Sequence, residues 1–563
     1  MHSKAIRIRP LFLVLAALTL IGLGACTDTV YRDRPPFNTP PDAASGFLGY
    51  YNASTGQTTC GNCHVGQQAD WSQTAHAEAW NTLQSSGFAQ PFCEGCHTVN
   101  SRGNQPLATV GYDSVQTAVY HDVQCESCHG PGFKHVTNPS VDSTRPISSI
   151  NIDTAIAIAN NSCGACHTDN ATAKHHNYLK EWLSSRHGKL NAYPAGNASC
   201  AGCHEGKAAI TRFAGNRSYK ESGSATLLPQ NCVVCHDPHG TAKDDQGNVL
   251  PGQLRFAINT PDPTQNLCLQ CHGRVDKVDP TPTNLRGPHG SQGPVLFGQA
   301  GYFPPGSSFD TTIVYTSHGS TANPRLCAGC HVNKLTGVDT AGNSITFSGH
   351  SFHPLPCLQQ KNPVVVDTTF INNCNYDLPS RSWGACTASG CHVGGEAVAE
   401  QLFTNFRSEV DGYTRTLWIN TTKCGPPGTC IEVVDAFPAD SGYLAKIKAA
   451  FPGDLDYTGA NKNLLTGAKG ATFNVQMLGE GYADHPDGSK GVHNPFLYRA
   501  LLQASVADML AQYPGTVPAP PAPVLAAIQA AVRSGQLRLA PSTEQVVMHL
   551  DAARTATQVS SHR

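Results

Sequence analysis

The sequence predicts a mostly α-helical chain with little regular secondary structure, whose interior is supplied by something other than side chains. Three observations predict this. The 563 residues include 23 Cys and 25 His, far more than packing alone requires. The Cys fall at a repeated short spacing, eight times as Cys-x-x-Cys-His and once with four intervening residues as Cys386-Thr387-Ala388-Ser389-Gly390-Cys391-His392. These motifs crowd into residues 51–395 at about one per 38 residues, which leaves too little chain between neighbours for separate apolar cores.

Taken in order, the chain opens with Lys4, Arg7 and Arg9 ahead of an apolar run over 11–23. That is the pattern of a secretory signal peptide, and the run is short for a membrane span. It closes on Leu23-Gly24-Ala25-Cys26, which resembles the bacterial lipoprotein processing box. Residues 1–25 are therefore expected to be removed, with Cys26 the lipid-bearing first residue of an outer-membrane lipoprotein on the periplasmic or cell-surface face. Residues 26–50, rich in Pro, Asp, Thr and Gly, read as anchor and tether. The region 51–395 follows, then a motif-poor region over 396–563. Within the latter, 443–450, 494–510 and 524–539 read as helices, the last behind a Pro-rich joint at 514–523. No later stretch is apolar enough to span a bilayer, and a formal charge of −2 argues against a nucleic-acid partner.

The residue after each second Cys decides what the motifs bind. At random, Cys-x-x-Cys-His would occur roughly 0.04 times in such a chain, so eight occurrences are not accidental. A disulfide framework has no need of the His, and zinc would take two Cys-x-x-Cys knuckles per ion. Two thioethers and an adjacent proximal His are what c-type haem attachment requires. The first four sites are Cys60, Cys63 and His64; Cys93, Cys96 and His97; Cys125, Cys128 and His129; and Cys163, Cys166 and His167. The next four are Cys200, Cys203 and His204; Cys232, Cys235 and His236; Cys268, Cys271 and His272; and Cys327, Cys330 and His331. The ninth, at the longer spacing, is Cys386, Cys391 and His392. Nine haems are expected, or eight if the last site is empty and Cys386 pairs with Cys357 or Cys374. With nine, Cys357, Cys374, Cys424 and Cys430 remain. The turn Gly425-Pro426-Pro427-Gly428 favours Cys424 with Cys430, and Cys357 with Cys374 by exclusion.

Fourteen further His are available as second iron ligands once His2 and His562 are set aside. The leading candidates are His76, His121, His187, His239, His289, His318 and His493. His135, His175, His176, His350, His353, His485 and His549 contest the rest. His239 follows His236 by three residues, on the same side of the chain, so it serves a neighbouring haem or none. The same holds more loosely for His135 after His129. Two internal repeats each deliver a His. Trp71-Ser72-Gln73-Thr74-Ala75-His76 matches Trp182-Leu183-Ser184-Ser185-Arg186-His187, and Pro238-His239-Gly240 matches Pro288-His289-Gly290.

On Cys125-Glu126-Ser127-Cys128-His129-Gly130-Pro131-Gly132 with His135, Cys235-His236-Asp237-Pro238-His239-Gly240, the Trp repeats and Gly491-Val492-His493-Asn494-Pro495, the chain resembles the multihaem cytochrome c superfamily. The resemblance implies a fold in which haems form the core. It also implies that His493 reaches back onto a haem attached much earlier, so that 396–563 supplies at least one distal ligand. The Cys-x-x-Cys-Lys site of pentahaem nitrite reductases has no counterpart here. The expected function is electron transfer at the outer membrane or cell surface, with redox-partner cytochromes and possible assembly on a porin or into a filament of like subunits. The alternative is an oxidoreductase acting on nitrite, hydroxylamine or a sulfur oxyanion at one open haem.

Overall fold

The computed structural model describes residues 46–99, 118–152, 163–168, 177–240, 242–244, 246–274, 278, 287–312, 316–366, 380–418, 421–424, 430–433, 442–478 and 486–560. The leader, Cys26, Cys374, His175, His176 and His485 lie outside them. The chain divides into two compact units, one through Pro146 and one from Ile147.

In the first unit order begins earlier than the expected end of the tether. Phe47 and Leu48 are buried and Tyr50–Asn52 is a strand paired antiparallel with Gln57–Thr58. The cause is Glu126, whose buried carboxylate accepts from Leu48 N and Gly49 N at 2.8 Å each and from Gly132 N at 2.7 Å. It ties the segment to the Cys125 turn. Helices here are short: Val65–Trp71, Ala79–Ser85, Glu94–His97, Cys125–His129 and Phe133–Thr137.

The second unit has two textures. Up to about residue 366 it is again short turns, with a four-stranded sheet in the order Ser344–Phe347, Leu335–Val338, Val364–Val365, Gln360–Lys361. Its apolar clusters are small, for example Ile345, Phe347, Leu358 and Val366. Beyond residue 395 the large apolar core appears. The Pro495–Gln512 helix is buried over most of its surface, as a helix at the centre of a core must be. Asn494 caps it by accepting from Leu497 N at 3.0 Å, with Pro at the first position. Gly467–Leu478 packs against it, and Gly470 is required there, because a Cβ would come within 2.0 Å of the Tyr302 ring. The 22-residue Glu396–Leu417 helix lays Ala399, Phe406, Val410, Tyr413 and Leu417 on the same core. A bidentate pair, Arg499 to Glu409 at 2.6 and 2.7 Å, joins it to Pro495–Gln512.

Tyr443–Ala450 has the expected bounds. The expected helix over 524–539 runs instead from Ala522 to Arg533, and Leu537–Arg538 is a strand paired with Ser308–Phe309. Gly535, at φ +75°, stops the helix. No helix among the described residues is long and apolar enough to cross a membrane.

Candidate haem-attachment sites and their facing histidines

Each motif folds as one tight turn, and its spacing explains why. Residues i, i+3 and i+4 of a helical turn share a face, so two sulfurs and an imidazole emerge together. The closing bond runs from the His amide to the first Cys carbonyl: His64 to Cys60 at 3.0 Å, His167 to Cys163 at 2.9 Å, His236 to Cys232 at 2.9 Å and His272 to Cys268 at 3.0 Å. The second Cys of each turn is held in the same way. Cys63 N donates to Cys60 O at 3.1 Å and Cys166 N to Cys163 O at 3.3 Å, while Cys96 sits inside the Glu94–His97 helix. Cys63 is exposed, whereas Cys96 and Cys166 are half-buried, and none of the three is in a disulfide.

The longer motif recovers the same closure. His392 N donates to Cys386 O at 3.2 Å, the two extra residues being taken up in a 3₁₀ turn over Ala388–Gly390 that ends on Gly390 at φ +76°. Cys386 and Cys391 are both free thiols. Cys357 is disulfide-bonded. Cys424 and Cys430 stand opposite each other in a hairpin.

Six of the proximal histidines face another His at one recurring distance. Ring centroids are 6.4 Å apart for His64 and His135, 6.2 Å for His204 and His289, and 6.2 Å for His236 and His350. They are 6.1 Å apart for His272 and His187, 6.1 Å for His331 and His493, and 6.2 Å for His392 and His318. An imidazole nitrogen bonds a metal at about 2.0–2.1 Å and lies about 1.1 Å from its ring centre, so two imidazoles on opposite faces of one iron have centroids about 6.2 Å apart. The residues present therefore fit a haem iron between each pair.

Hydrogen bonding fits as well. A ligating His donates its other ring N–H to an acceptor, which fixes the tautomer and ring plane. With Nδ1 as donor, His97 faces Ala79 O at 3.1 Å, His129 faces Pro146 O at 2.8 Å, His236 faces Gly252 O at 2.5 Å and His272 faces Gln292 Oε1 at 3.4 Å. His318 faces Val492 O at 2.7 Å, His331 faces Phe352 O at 2.9 Å and His350 faces Ser348 Oγ at 2.8 Å. His493 meets the buried Asp487 carboxylate at 2.5 Å. Each arrangement leaves Nε2 for a metal. Burial pushes His187, His331 and His350 down to about 4, so each keeps a free lone pair near neutral pH. At His493 burial also opposes the proton, but the charge and hydrogen bond of Asp487 outweigh it and the pKa rises.

Of the leading candidates, His187, His289, His318 and His493 face a proximal His, as do His135 and His350 from the second group. His135 faces His64 and not the neighbouring His129. His121 stacks flat on Trp80 at 4.0 Å, His76 is half-buried, and His239 donates its backbone N–H to Asp237. His353 accepts at Nδ1 from Leu355 N, which puts its proton on Nε2, and His549 is exposed on the Pro541–Ser560 helix.

The sequence reading missed Glu181. This buried carboxylate accepts from Ser348 N at 2.7 Å, Ser348 Oγ at 2.9 Å and His350 N at 2.7 Å, and so positions His350. It also missed what the Trp repeat does. Trp71 Nε1 donates to Val123 O at 2.9 Å and Trp182 Nε1 to Gln230 O at 2.7 Å, in each case two residues before the first Cys of an attachment site. Trp182→Phe is expected to lower stability by about 1–3 kcal/mol, because it strands that carbonyl. The check is a lower guanidinium midpoint at unchanged haem content.

Residues 59–130, which hold the first three attachment turns, match the family model for cytochrome c554 and c-prime. The match is to a c-type cytochrome. It supports haem c as the cofactor and electron transfer as the work. No curated protein and no solved structure matches the chain.

Proposed function

We propose that the chain is an exported, lipid-anchored multihaem c-type cytochrome with nine haems, acting as an electron-transfer conduit at the outer membrane or cell surface. The observation that carries this reading is the set of six proximal histidines facing a second His at 6.1–6.4 Å. When bound, haem c supplies a reversible one-electron couple. The Cys pairs would hold it, and the motif His and the facing His would both ligate its iron, leaving substrate no position at those six sites. For His97, His129 and His167 the second ligands come from the remaining His, including His76, His121, His175, His176 and His239. At His236, His272, His318, His331, His350 and His493, backbone and side-chain acceptors at Nδ1 would hold the ring in one orientation. Partner cytochromes, a porin or like subunits pass electrons on, and Cys26 provides the membrane attachment.

The pyridine haemochrome assay with intact mass should give nine haems per chain, and eight would empty the Cys386 site. The oxidised protein should be low-spin and indifferent to nitrite, hydroxylamine and cyanide. A stoichiometric high-spin haem that turns over nitrite or hydroxylamine would replace the conduit with an oxidoreductase. Cys26→Ser should move the protein into the soluble fraction with its spectrum intact, and retention on membranes would place the anchor elsewhere.

A further inference from the structure

The attachment sites of the second unit touch one another unequally. Cys163 and Cys232 both pack against the cluster of Leu179, Trp182 and Phe352. Tyr178 stands edge-on to His167 at 5.4 Å and to His350 at 4.9 Å. These two sites are neighbours. Towards the other end, His318 donates to the carbonyl of Val492, the residue before His493, and the Cys327–His331 helix packs on the Gly384–Thr387 helix. The Cys327 and Cys386 sites are neighbours too.

The Cys268 site meets three others. Arg212 donates to Cys203 Sγ at 3.1 Å and to the Gln270 carbonyl at 3.0 Å, and Arg274 donates to Ser199 O at 3.4 Å, which joins it to the Cys200 site. Its facing His187 meets the edge of Phe352 at 4.5 Å, and Phe352 also lies 6.0 Å from His350, which faces His236. The Phe352 carbonyl accepts from His331. One residue thus touches ring-bearing residues of three sites. It does so at φ +54°, left-handed backbone that side-chain-bearing residues avoid. The left-handed turn is what points its ring at His187 and His350 while its carbonyl faces His331.

Resting on the haem reading above, we propose that the site of Cys268, Cys271 and His272 is a branch point. It joins the Cys200, Cys232 and Cys327 sites, with the Cys163 and Cys386 sites ending the main run and the Cys200 site ending a side arm. The physical reason is that thioether sulfurs sit on the porphyrin rim, so attachment turns that pack side by side bring two rims together. One electron leaving a reduced neighbour reduces the branch site without any bond being made or broken, and three exits are then open to it. An electron entering the Cys200 arm can therefore leave by either end of the main run.

The test uses the full-length holoprotein. His187→Ala opens one axial position at the branch and His318→Ala opens one at an end, and cyanide then adds a negative charge at each. Read by haem-methyl NMR resonances and spectroelectrochemistry, cyanide on His187→Ala should shift three other haems, those of His204, His236 and His331. On His318→Ala it should shift one, that of His331. Equal numbers in the two variants, or fewer than three at the branch, would overturn the proposal. If His187→Ala fails to assemble, His187→Met keeps an axial ligand and raises the potential of its own haem, and three neighbouring potentials must then move or the branch is lost. If neither alanine variant gains a cyanide site, the histidine pairing itself is wrong and the branch falls with it.

Discussion

Glu181→Ala is expected to convert one low-spin haem, that of His236, into a high-spin haem that binds cyanide. Glu181 makes three short hydrogen bonds to the 348–350 segment, two from backbone N–H groups and one from the Ser348 hydroxyl. All sit on a carboxylate that is 3% exposed. Removing it strands buried donors at about 1–3 kcal/mol each. That is more than one axial histidine held by a single loop can absorb, so the segment opens and His350 leaves the face of His236. Glu181→Gln retains one acceptor oxygen and should show a partial effect. The result that sinks the idea is a Glu181→Ala protein with unchanged haem content, no high-spin signal and no cyanide response. Such a protein would make Glu181 a fold element with no hold on the ligand.

The attachment turns were legible because their chemistry is local: Cys, Cys and His must share one helical face, and nothing distant alters that. The facing histidines were legible only in part, since pairing is set by tertiary contacts. His135 lies six residues from His129 yet faces His64, and His350 faces His236 because Glu181, far away in sequence, draws the 348–350 segment in. No spacing rule encodes such a clamp, although a Glu followed directly by the Trp of a repeat was a signal that could have been weighed. The Glu396–Leu417 helix was legible and was missed. Ala399, Phe406, Val410, Tyr413 and Leu417 recur at helical spacing, but attention to the end of the motifs at residue 395 hid the period. The early end of the tether had a quieter signal in Phe47-Leu48, two apolar residues that a solvated linker does not need. The apolar core of the C-terminal region shows where ordinary periodicity regains its force: with no attachment motifs left, side chains must do the packing.

Asp487→Asn is expected to raise the reduction potential of a single haem, that of His331 and His493. Among the ring nitrogens with described acceptors, His493 alone meets a carboxylate, at 2.5 Å and with the Asp487 side chain fully buried. Asp487 also accepts from Ser489 Oγ, which holds its orientation. A buried anion on the far nitrogen of an axial imidazole makes the ligand more basic and favours the ferric state, so this haem should sit low in the protein's potential span. Asn keeps an acceptor oxygen and the shape but removes the charge. At an effective dielectric of about 20 and a separation of roughly 6–7 Å, one charge is worth about 2.5 kcal/mol. For a one-electron couple that is an upward shift of roughly 100 mV. Spectroelectrochemical titration should therefore show one component moved up and the rest in place, with the spectrum still low-spin because His493 remains bound. His493→Ala separates the two roles, since it should yield a high-spin haem where Asp487→Asn does not. A titration of Asp487→Asn that superimposes on the wild type would mean that water or a neighbouring group already screens the charge, and that Asp487 only orients the ring.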